Sequence, residues 1–541
     1  MDKHLQRAGR ICAVAGLLLF VAGCGGGSNS AALPSLAQMK SVCAGLVGKT
    51  LEGVTVAEAV RIEPTPGVHE AGLCKVSGTR APYLDIEVTV PDNWSGRLYQ
   101  QGGGGFDGRV ASAVTSSGGT VTAVHAAVAQ RGAVYAASNG GNRAAVPGQA
   151  APAVWISGSA DAKASATDYA YAALGTTVLF AKAVTTSFFA RGPAYTYFNG
   201  CSNGGRNAYI AAERWPAEYD GVISGCESMD MGGTITALLN TAAKAGTPAE
   251  IAPAQYADAY ARAVSSCDAA DGVSDGYLAN PTGCNFNPAA LQCGQASAST
   301  NAALCLSPAQ VATLAGLLSD LKLSSGTTIY SRYSWTNFAP TTASPGVPPL
   351  GVTSYGGLGG GFALLATNDP RWLGAPPPAT TPAPNLATFN LDQSYTLISE
   401  GLLLVGADHR KSAIASYVAS GRKLLSWHDA GDPLISANDH MRNFATMTGI
   451  AKVRGLADPR ANARLMLVPA STHGAGGTLA EVDWLVAMID WVEQGRAPDQ
   501  LTYRFSSGAT ARTLPVCEAP GYPRYKGTGD VNSAGSYTCT Q

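Results

Sequence analysis

The stretch Tyr195-Thr196-Tyr197-Phe198-Asn199-Gly200-Cys201-Ser202-Asn203-Gly204-Gly205-Arg206 passes from a strand pattern, through a glycine-flanked serine, into a helix pattern that runs from Arg206 to Arg214. Gly200 to Gly204 reads G-x-S-x-G, in which a sharp strand-to-helix turn exposes the serine hydroxyl and the glycines relieve crowding. The pentapeptide alone says little in a chain with Gly 64 of 541 residues, and Gly272-Val273-Ser274-Asp275-Gly276 matches it too. Ser274 sits among aspartates, whereas Ser202 has a strand before it and a helix after it. Ser202 is therefore the candidate nucleophile.

Working outward, Arg97 to Gln101, Gly132 to Ala137, Tyr219 to Ser224, Lys423 to Trp427 and Arg464 to Pro469 are short apolar runs bounded by Gly, Pro or Asp, the pattern of buried parallel strands. Helical periodicity lies between several of them, over Thr167 to Ala190 and Leu479 to Glu493. Strands alternating with helices predict an α/β fold with a parallel sheet. The alternation breaks near Ser228 and resumes near Asp408, across a piece holding four cysteines and the Pro-rich Ala375 to Pro384. The expected organisation is a first catalytic segment over 39–228, an inserted domain over 229–407 and a second catalytic segment over 408–541.

A serine hydroxyl needs a base, and the base needs a carboxylate to hold its tautomer and stabilise the imidazolium. Among seven histidines, His473 follows the strand-like Arg464 to Pro469 and opens the glycine-rich His473-Gly474-Ala475-Gly476-Gly477. Trp427-His428-Asp429-Ala430-Gly431-Asp432-Pro433 also follows a strand and offers two carboxylates, so Asp432 or Asp429 orients His473. The order Ser202, Asp432, His473 is that of α/β-hydrolases and differs from the orders of chymotrypsin and subtilisin. His428 and His440 read as polar loop residues. Gly102 to Gly105 ends the strand of Arg97 to Gln101, where a bare backbone can approach an oxyanion; Gly104 and the amide of Asn203 are the expected donors.

Charged residues are 13%, against about 25% in an average soluble protein, and Lys+Arg 36 nearly balances Asp+Glu 37. A net charge of -1 leaves no basic footprint for nucleic acid. At the N-terminus Lys3, Arg7 and Arg10 precede the apolar Ile11 to Ala22, which reads as a secretory signal over 1–23. The run closes on Val21-Ala22-Gly23-Cys24, which resembles a bacterial lipobox, followed by a tether over 24–38. Lipidation of Cys24 would anchor an exported protein to a membrane, periplasm-facing or at the outer membrane or cell surface, without a spanning helix. Removing Cys12 with the signal and assigning Cys24 to lipid leaves ten of the 12 cysteines, with no C-x-x-C pair among them. That pattern favours five disulfides over zinc, with connectivity open and sequence-neighbour pairing the simplest.

Phe198 to Arg206, then Tyr219-Asp220-Gly221-Val222, then Gly431-Asp432-Pro433-Leu434-Ile435-Ser436 resemble the tannase and feruloyl esterase family of secreted α/β-hydrolases. The resemblance implies a disulfide-rich α/β-hydrolase fold with a large inserted lid. It implies Ser202 as nucleophile, Asp432 as acid, His473 as base, and a small aromatic ester as substrate. It further implies a structural calcium site in the lid, at Asp268, Asp271 and Asp275 with the carbonyls of Val273 and Tyr277, remote from the chemistry. Three carboxylates within eight residues of a charge-poor chain independently suit a hard cation with oxygen ligands. No organic cofactor is implied.

One position departs from the resemblance. Many members place a cysteine directly after the catalytic histidine, bonded to the cysteine before the serine; here that position is Gly474. A replacement bond from Cys201 to Cys226 is expected, because adjacent parallel strands lie about 4.8 Å apart. The other expected pairs are Cys43 with Cys74, Cys267 with Cys284, Cys293 with Cys305, and Cys517 with Cys539. Lid aromatics Tyr330, Tyr333, Trp335, Phe338 and Phe362 are candidates for the pocket wall, and Arg371 for a substrate carboxylate. The reading is an esterase of feruloyl, galloyl or related aromatic esters. Its alternatives are an esterase of hydroxyalkanoate oligomers and a catalytically inactive lipoprotein that binds aromatic ligands.

Overall fold

Six parallel strands form the middle of one twelve-stranded sheet, and every residue of the strand that precedes Ser202 sits at its centre. The computed structural model describes residues 33–143, 160–227, 229–339, 389–407, 410–469, 471–507 and 510–541. The signal, Cys24, Phe362 and Arg371 lie outside the described residues, and the tether does so up to residue 32. In chain order the strands are β1 (Thr50–Leu51), β2 (Val54–Ile62), β3 (Leu73–Arg80), β4 (Leu84–Pro91), β5 (Arg97–Gln101), β6 (Val134–Ser138), β7 (Tyr195–Cys201), β8 (Gly221–Gly225), β9 (Lys423–Asp429), β10 (Ala463–Val468), β11 (Leu501–Ser507) and β12 (Thr510–Glu518). Across the sheet they run β1-β2-β3-β4-β6-β5-β7-β8-β9-β10-β12-β11. From β6 to β10 all neighbours are parallel, and antiparallel strands extend both flanks.

The parallel strands read as apolar runs because both faces are covered, with successive side chains going to opposite sides. Leu98, Val134, Phe198, Val222 and Leu424 enter one apolar cluster, with helices α1 (Ala173–Phe189) and α2 (Asn203–Arg214). Tyr99, Tyr135, Tyr197, Ile223, Leu425 and Met466 enter the other, with a helix over Trp484–Gln494. Each such large apolar side chain contributes about 1.5–3 kcal/mol by leaving water. The Trp484–Gln494 helix starts later than the periodicity predicts, because the Asp483 side chain accepts from the Val486 N–H and caps it there. The helical stretch Lys163–Phe189 is long and apolar enough to cross a membrane, but 61% of its most apolar window is buried inside the protein.

Residues 34–541 form one compact unit. Within it, residues from Ala237 to Ala339 build an apolar cluster of their own. Tyr330, Tyr333, Trp335 and Phe338 belong to this cluster and are buried in it. Two of them hold the turn after β9: Tyr333 donates to the Leu434 carbonyl at 3.1 Å, and the Tyr330 hydroxyl accepts from Ser436 N–H at 2.7 Å.

The five cysteine pairs are Cys43–Cys74, Cys201–Cys226, Cys267–Cys284, Cys293–Cys305 and Cys517–Cys539. In the β7–β8 ladder Cys201 stands opposite Gly225, so Cys226 follows one residue on, and the two Cα atoms are 5.2 Å apart.

Candidate active site

The C-terminal ends of β5, β7, β8, β9 and β10 are in register, at Gln101–Asn199, Cys201–Gly225–Trp427 and Asp429–Val468, and the candidate residues gather just beyond them. Ser202 lies between β7 and α2 with φ 60 and ψ −126. A non-glycine residue in that region is strained, and the strain is what turns its side chain away from both elements. The Ser202 N–H is tied to the Gly225 carbonyl at 3.0 Å, which anchors the elbow to β8. Ser274, by contrast, lies in a loop after a single tight turn over Asp268–Asp271, with no strand–turn–helix around it.

His473 Nδ1 and Asp432 Oδ2 are 2.7 Å apart. The structure thus chooses Asp432 from the two carboxylates the sequence offers. Burial and the charge of Asp432 act on His473 in opposite directions, and Asp432 prevails, so its pKa is raised above 6.5. Burial likewise opposes ionisation of Asp432, but His473 and His428 outweigh it and hold the carboxylate below its ordinary range. Oδ1 of Asp432 accepts the N–H groups of Leu434 and Ile435 at 2.7 and 3.0 Å. Nδ1–H of His473 then points at the acid and leaves Nε2 free to take a proton.

A ring nitrogen of His473 lies within 4.8 Å of both sulfurs of Cys201–Cys226, which brings the histidine loop to the residue preceding Ser202. The sulfurs are bonded to each other, so this His-Cys-Cys group has no thiolate to offer a metal. A Cβ on Gly474 would stand 3.6 Å from Cys201 Sγ.

Asp429 has a separate job. Fully buried, it accepts from Ser471 Oγ at 2.6 Å, Gly474 N–H at 2.7 Å and Gly476 N–H at 3.1 Å, holding the loop that carries His473 from both sides. Burial, with Asp432 nearby, pushes its pKa up to about 7.

The glycine run meets the elbow directly. A Cβ on Gly204 would come within 2.7 Å of the Gly103 carbonyl, so only glycine lets the two backbones pack. That contact puts the loop of Gly104 beside the amide of Asn203, the first residue of α2 and free of any intrahelical acceptor. Asp107, which sequence reasoning missed, bridges them: its Oδ1 accepts from Asn203 Nδ2 at 2.6 Å. Arg206 donates to Asn203 Oδ1 at 2.9 Å, and Tyr169 donates to the Gly105 carbonyl at 3.1 Å. Burial raises Asp107 to about 7 against the pull of Arg206. The signal was present in Gly105-Phe106-Asp107-Gly108, an acid set in a glycine loop of a charge-poor chain.

The acidic loop lies between Cys267 and Cys284, which are bonded. Asp268 accepts from Gly276 N–H at 2.9 Å, Asp271 from Val273 N–H at 3.1 Å, and Asp275 from Tyr277 N–H at 3.1 Å. Arg512 donates to Asp275. Burial, and then the charges of Asp275 and Asp268, push Asp271 up to about 6, the strain that a hard cation would relieve. Asp268, Asp271 and Asp275 offer the oxygen donors that calcium takes, although among the described residues their carboxylates do not converge within 4.8 Å of one another and Asp275 is paired with Arg512. The Tyr277 side chain reaches out of this loop: its Oη donates to the carbonyl of Pro469, just after β10 and four residues before His473. Sequence separation hides that contact, since a hydroxyl on one loop reaches a carbonyl far along the chain.

Residues 68–540 match the family described as tannase and feruloyl esterase. The chain is 28% identical over 525 residues to mono(2-hydroxyethyl) terephthalate hydrolase of Piscinibacter sakaiensis, covering 86% of this chain and 84% of that one. It is 28% identical over 489 residues to a probable feruloyl esterase of Arthroderma benhamiae, covering 85% and 82%. The crystal structure of feruloyl esterase B from Aspergillus oryzae shares the fold, with a TM-score of 0.71 at 21% identity over 93% of this chain and 99% of that one.

Proposed function

The chain belongs to the tannase and feruloyl esterase family and is a carboxylic ester hydrolase, and from that premise we propose that it cleaves aromatic esters through Ser202, His473 and Asp432. Ser202 Oγ attacks the ester carbonyl as His473 Nε2 takes its proton. Asp432 stabilises the imidazolium, and the amides of Asn203 and Gly104 hold the tetrahedral oxyanion. His473 then hands the proton to the departing alcohol, leaving an acyl-enzyme on Ser202. A water activated by His473 cleaves it and releases the acid. The observation that carries this reading is the 2.7 Å contact from His473 Nδ1 to Asp432, next to the disulfide that precedes the strained Ser202.

Feruloyl, galloyl and related aromatic acyl groups are the proposed substrates, because the relatives are named for feruloyl and terephthalate esters. Calcium held by Asp268, Asp271, Asp275 and the carbonyls of Val273 and Tyr277 is the proposed structural ion. When bound it supplies positive charge that brings the three carboxylates together. The five disulfides suit an oxidising compartment. Export and anchoring through Cys24 complete the proposal.

A panel of methyl ferulate, methyl gallate, mono(2-hydroxyethyl) terephthalate and hydroxybutyrate oligomers tests it, run with wild type beside Ser202→Ala. Turnover of the aromatic esters that vanishes in the variant is expected. Equal turnover in Ser202→Ala, or turnover of the aliphatic oligomers alone, would overturn the mechanism or the substrate class respectively.

A further inference from the structure

Behind Asp432, on the side away from His473, lies a chain of polar groups that the mechanism above does not use. His428 on β9 and His440 on the helix Ala437–Val453 are both fully buried, not loop residues as their sequence context suggests. His428 Nε2 is 2.9 Å from the Ile435 carbonyl and 3.3 Å from Asp432 Oδ2. His428 Nδ1 is 2.8 Å from His440 Nδ1. His440 Nε2 meets the hydroxyl of Tyr209, on α2, and that hydroxyl is 2.9 Å from Ser426 Oγ.

The end of this chain sets its direction. His428 Nε2 faces two acceptors, a carbonyl and an ionised carboxylate, so it carries a hydrogen. In a neutral ring Nδ1 then accepts, which makes His440 Nδ1 the donor of that bond. The remaining nitrogen of His440 accepts in turn, so Tyr209 O–H donates to it, and the Tyr209 oxygen is left to accept from Ser426. Every donor points toward Asp432. A reversed chain would require His428 to be a fully buried charged imidazole, beside a carboxylate already engaged by His473. It would also set a second cation against the one carboxylate that His473 needs in order to become charged.

We propose that Ser426, Tyr209, His440 and His428 form a one-way hydrogen-bond relay that positions the carboxylate of Asp432. The relay rests on the triad reading in that Asp432 is the acid. None of the four touches substrate; they are positioning residues. Asp432 Oδ2 receives His473 Nδ1–H and Oδ1 receives two backbone amides, while His428 Nε2, whose hydrogen is shared with the Ile435 carbonyl at 2.9 Å, faces Oδ2 at 3.3 Å, so the carboxylate is held on every side. Burial holds His440 well below the usual imidazole range, in keeping with a neutral ring there.

The test has a spectroscopic arm and a kinetic arm, both on the full chain. Nitrogen NMR of imidazole-labelled wild type at pH 7, assigned with His428→Gln and His440→Gln, is expected to show His428 as the Nε2–H tautomer and His440 as the Nδ1–H tautomer. In the kinetic arm, His428→Phe removes one donor to the ionised Asp432, so the carboxylate binds the proton of His473 more tightly. The acid limb of kcat/KM then moves up by about one pH unit, with kcat falling roughly tenfold as Asp432 loses its orientation. The other groups facing this pair are Asp429 and Tyr333 at Asp432, and Asp429 and Glu227 at His473, and all of them stay in place. His428→Gln, whose amide N–H can reach the same oxygen, is expected to bring the limb back.

A charged ring, the same tautomer in both histidines, or an unmoved acid limb in a folded His428→Phe would overturn the relay. The spectroscopic arm reads the tautomers in the wild type itself and uses the variants only to assign its signals. Persistent hydrolysis in Ser202→Ala would remove the triad reading and leave the tautomers as they are, so the two ideas fail separately.

Discussion

The backbone N–H of Gly474 donates to Asp429 Oδ2 at 2.7 Å, so the residue beside the candidate base hangs on a carboxylate that the base does not touch. Asp429→Ala takes three acceptor contacts from the loop of His473 and leaves one buried and one half-buried N–H group unpaired. The expected loss is about 1–3 kcal/mol of stability and roughly a hundredfold in kcat, read from a denaturant melt and from steady-state rates. Unchanged rates would show that the loop holds itself.

The pH profile has a definite sign. The proposed base His473 must be neutral to accept a proton, and Asp432 raises its pKa, so activity should fall as pH drops through a midpoint above the ordinary imidazole value. Asp432→Asn removes the charge that favours the imidazolium. The midpoint should move down in pH, and kcat should fall by about 10⁴.

Asp107 ties the glycine loop to the side chain of Asn203, the residue whose amide is the proposed oxyanion donor. Asp107→Ala should lower kcat roughly tenfold, less than the 10²–10³ or so typical of deleting an oxyanion donor itself. KM should change little, since Asp107 lies beneath the loop and not in the path of the substrate.

Cys201–Cys226 closes a loop of 25 residues, for which chain entropy predicts about 3.5 kcal/mol of stabilisation. Cys226→Ser should therefore lower the unfolding midpoint and free one thiol. Adding Gly474→Cys places a second Cβ 3.6 Å from Cys201 Sγ. Thiol titration of that double variant should find no free thiol. The melt should recover only in part, because Gly474 has φ +78, where a side chain costs about 1–2 kcal/mol.

Removing calcium with a chelator should lower the melting midpoint, and adding it back to about 100 times its Kd should restore roughly 2.7 kcal/mol. Tyr277→Phe keeps the backbone carbonyl of residue 277 but breaks the bond to Pro469. It should leave calcium affinity unchanged by calorimetry while costing about 1 kcal/mol of stability.

Much of the site was legible because its signals are local. The elbow is written in twelve consecutive residues, and β5 emerges over the residues its apolar pattern marks. The antiparallel strands β2 to β4 were not read, since β2 alternates buried with exposed residues only over its first four positions and then carries Glu58 and Arg61 in a stretch with no buried residue, which looks like surface loop. Asp107, His428 and His440 were missed or misplaced for another reason. A polar residue in a glycine loop or near a strand end carries no mark of being buried; the partners that bury it come from distant elements.

The sequence by itself determined the parallel-sheet architecture, the candidate serine and histidine, and a set of ten cysteines beyond residue 24, because strand periodicity, turn chemistry and residue type are properties of short segments. The tertiary structure alone decided between Asp429 and Asp432, three residues apart in one turn. The first closes onto the loop amides and the second onto His473, a difference set by how β9 and β10 are registered. The fold also decided that His428 and His440 face each other inside the protein. That meeting depends on a strand and a helix packing together, and hydrogen-bond direction has meaning only once both rings are in place.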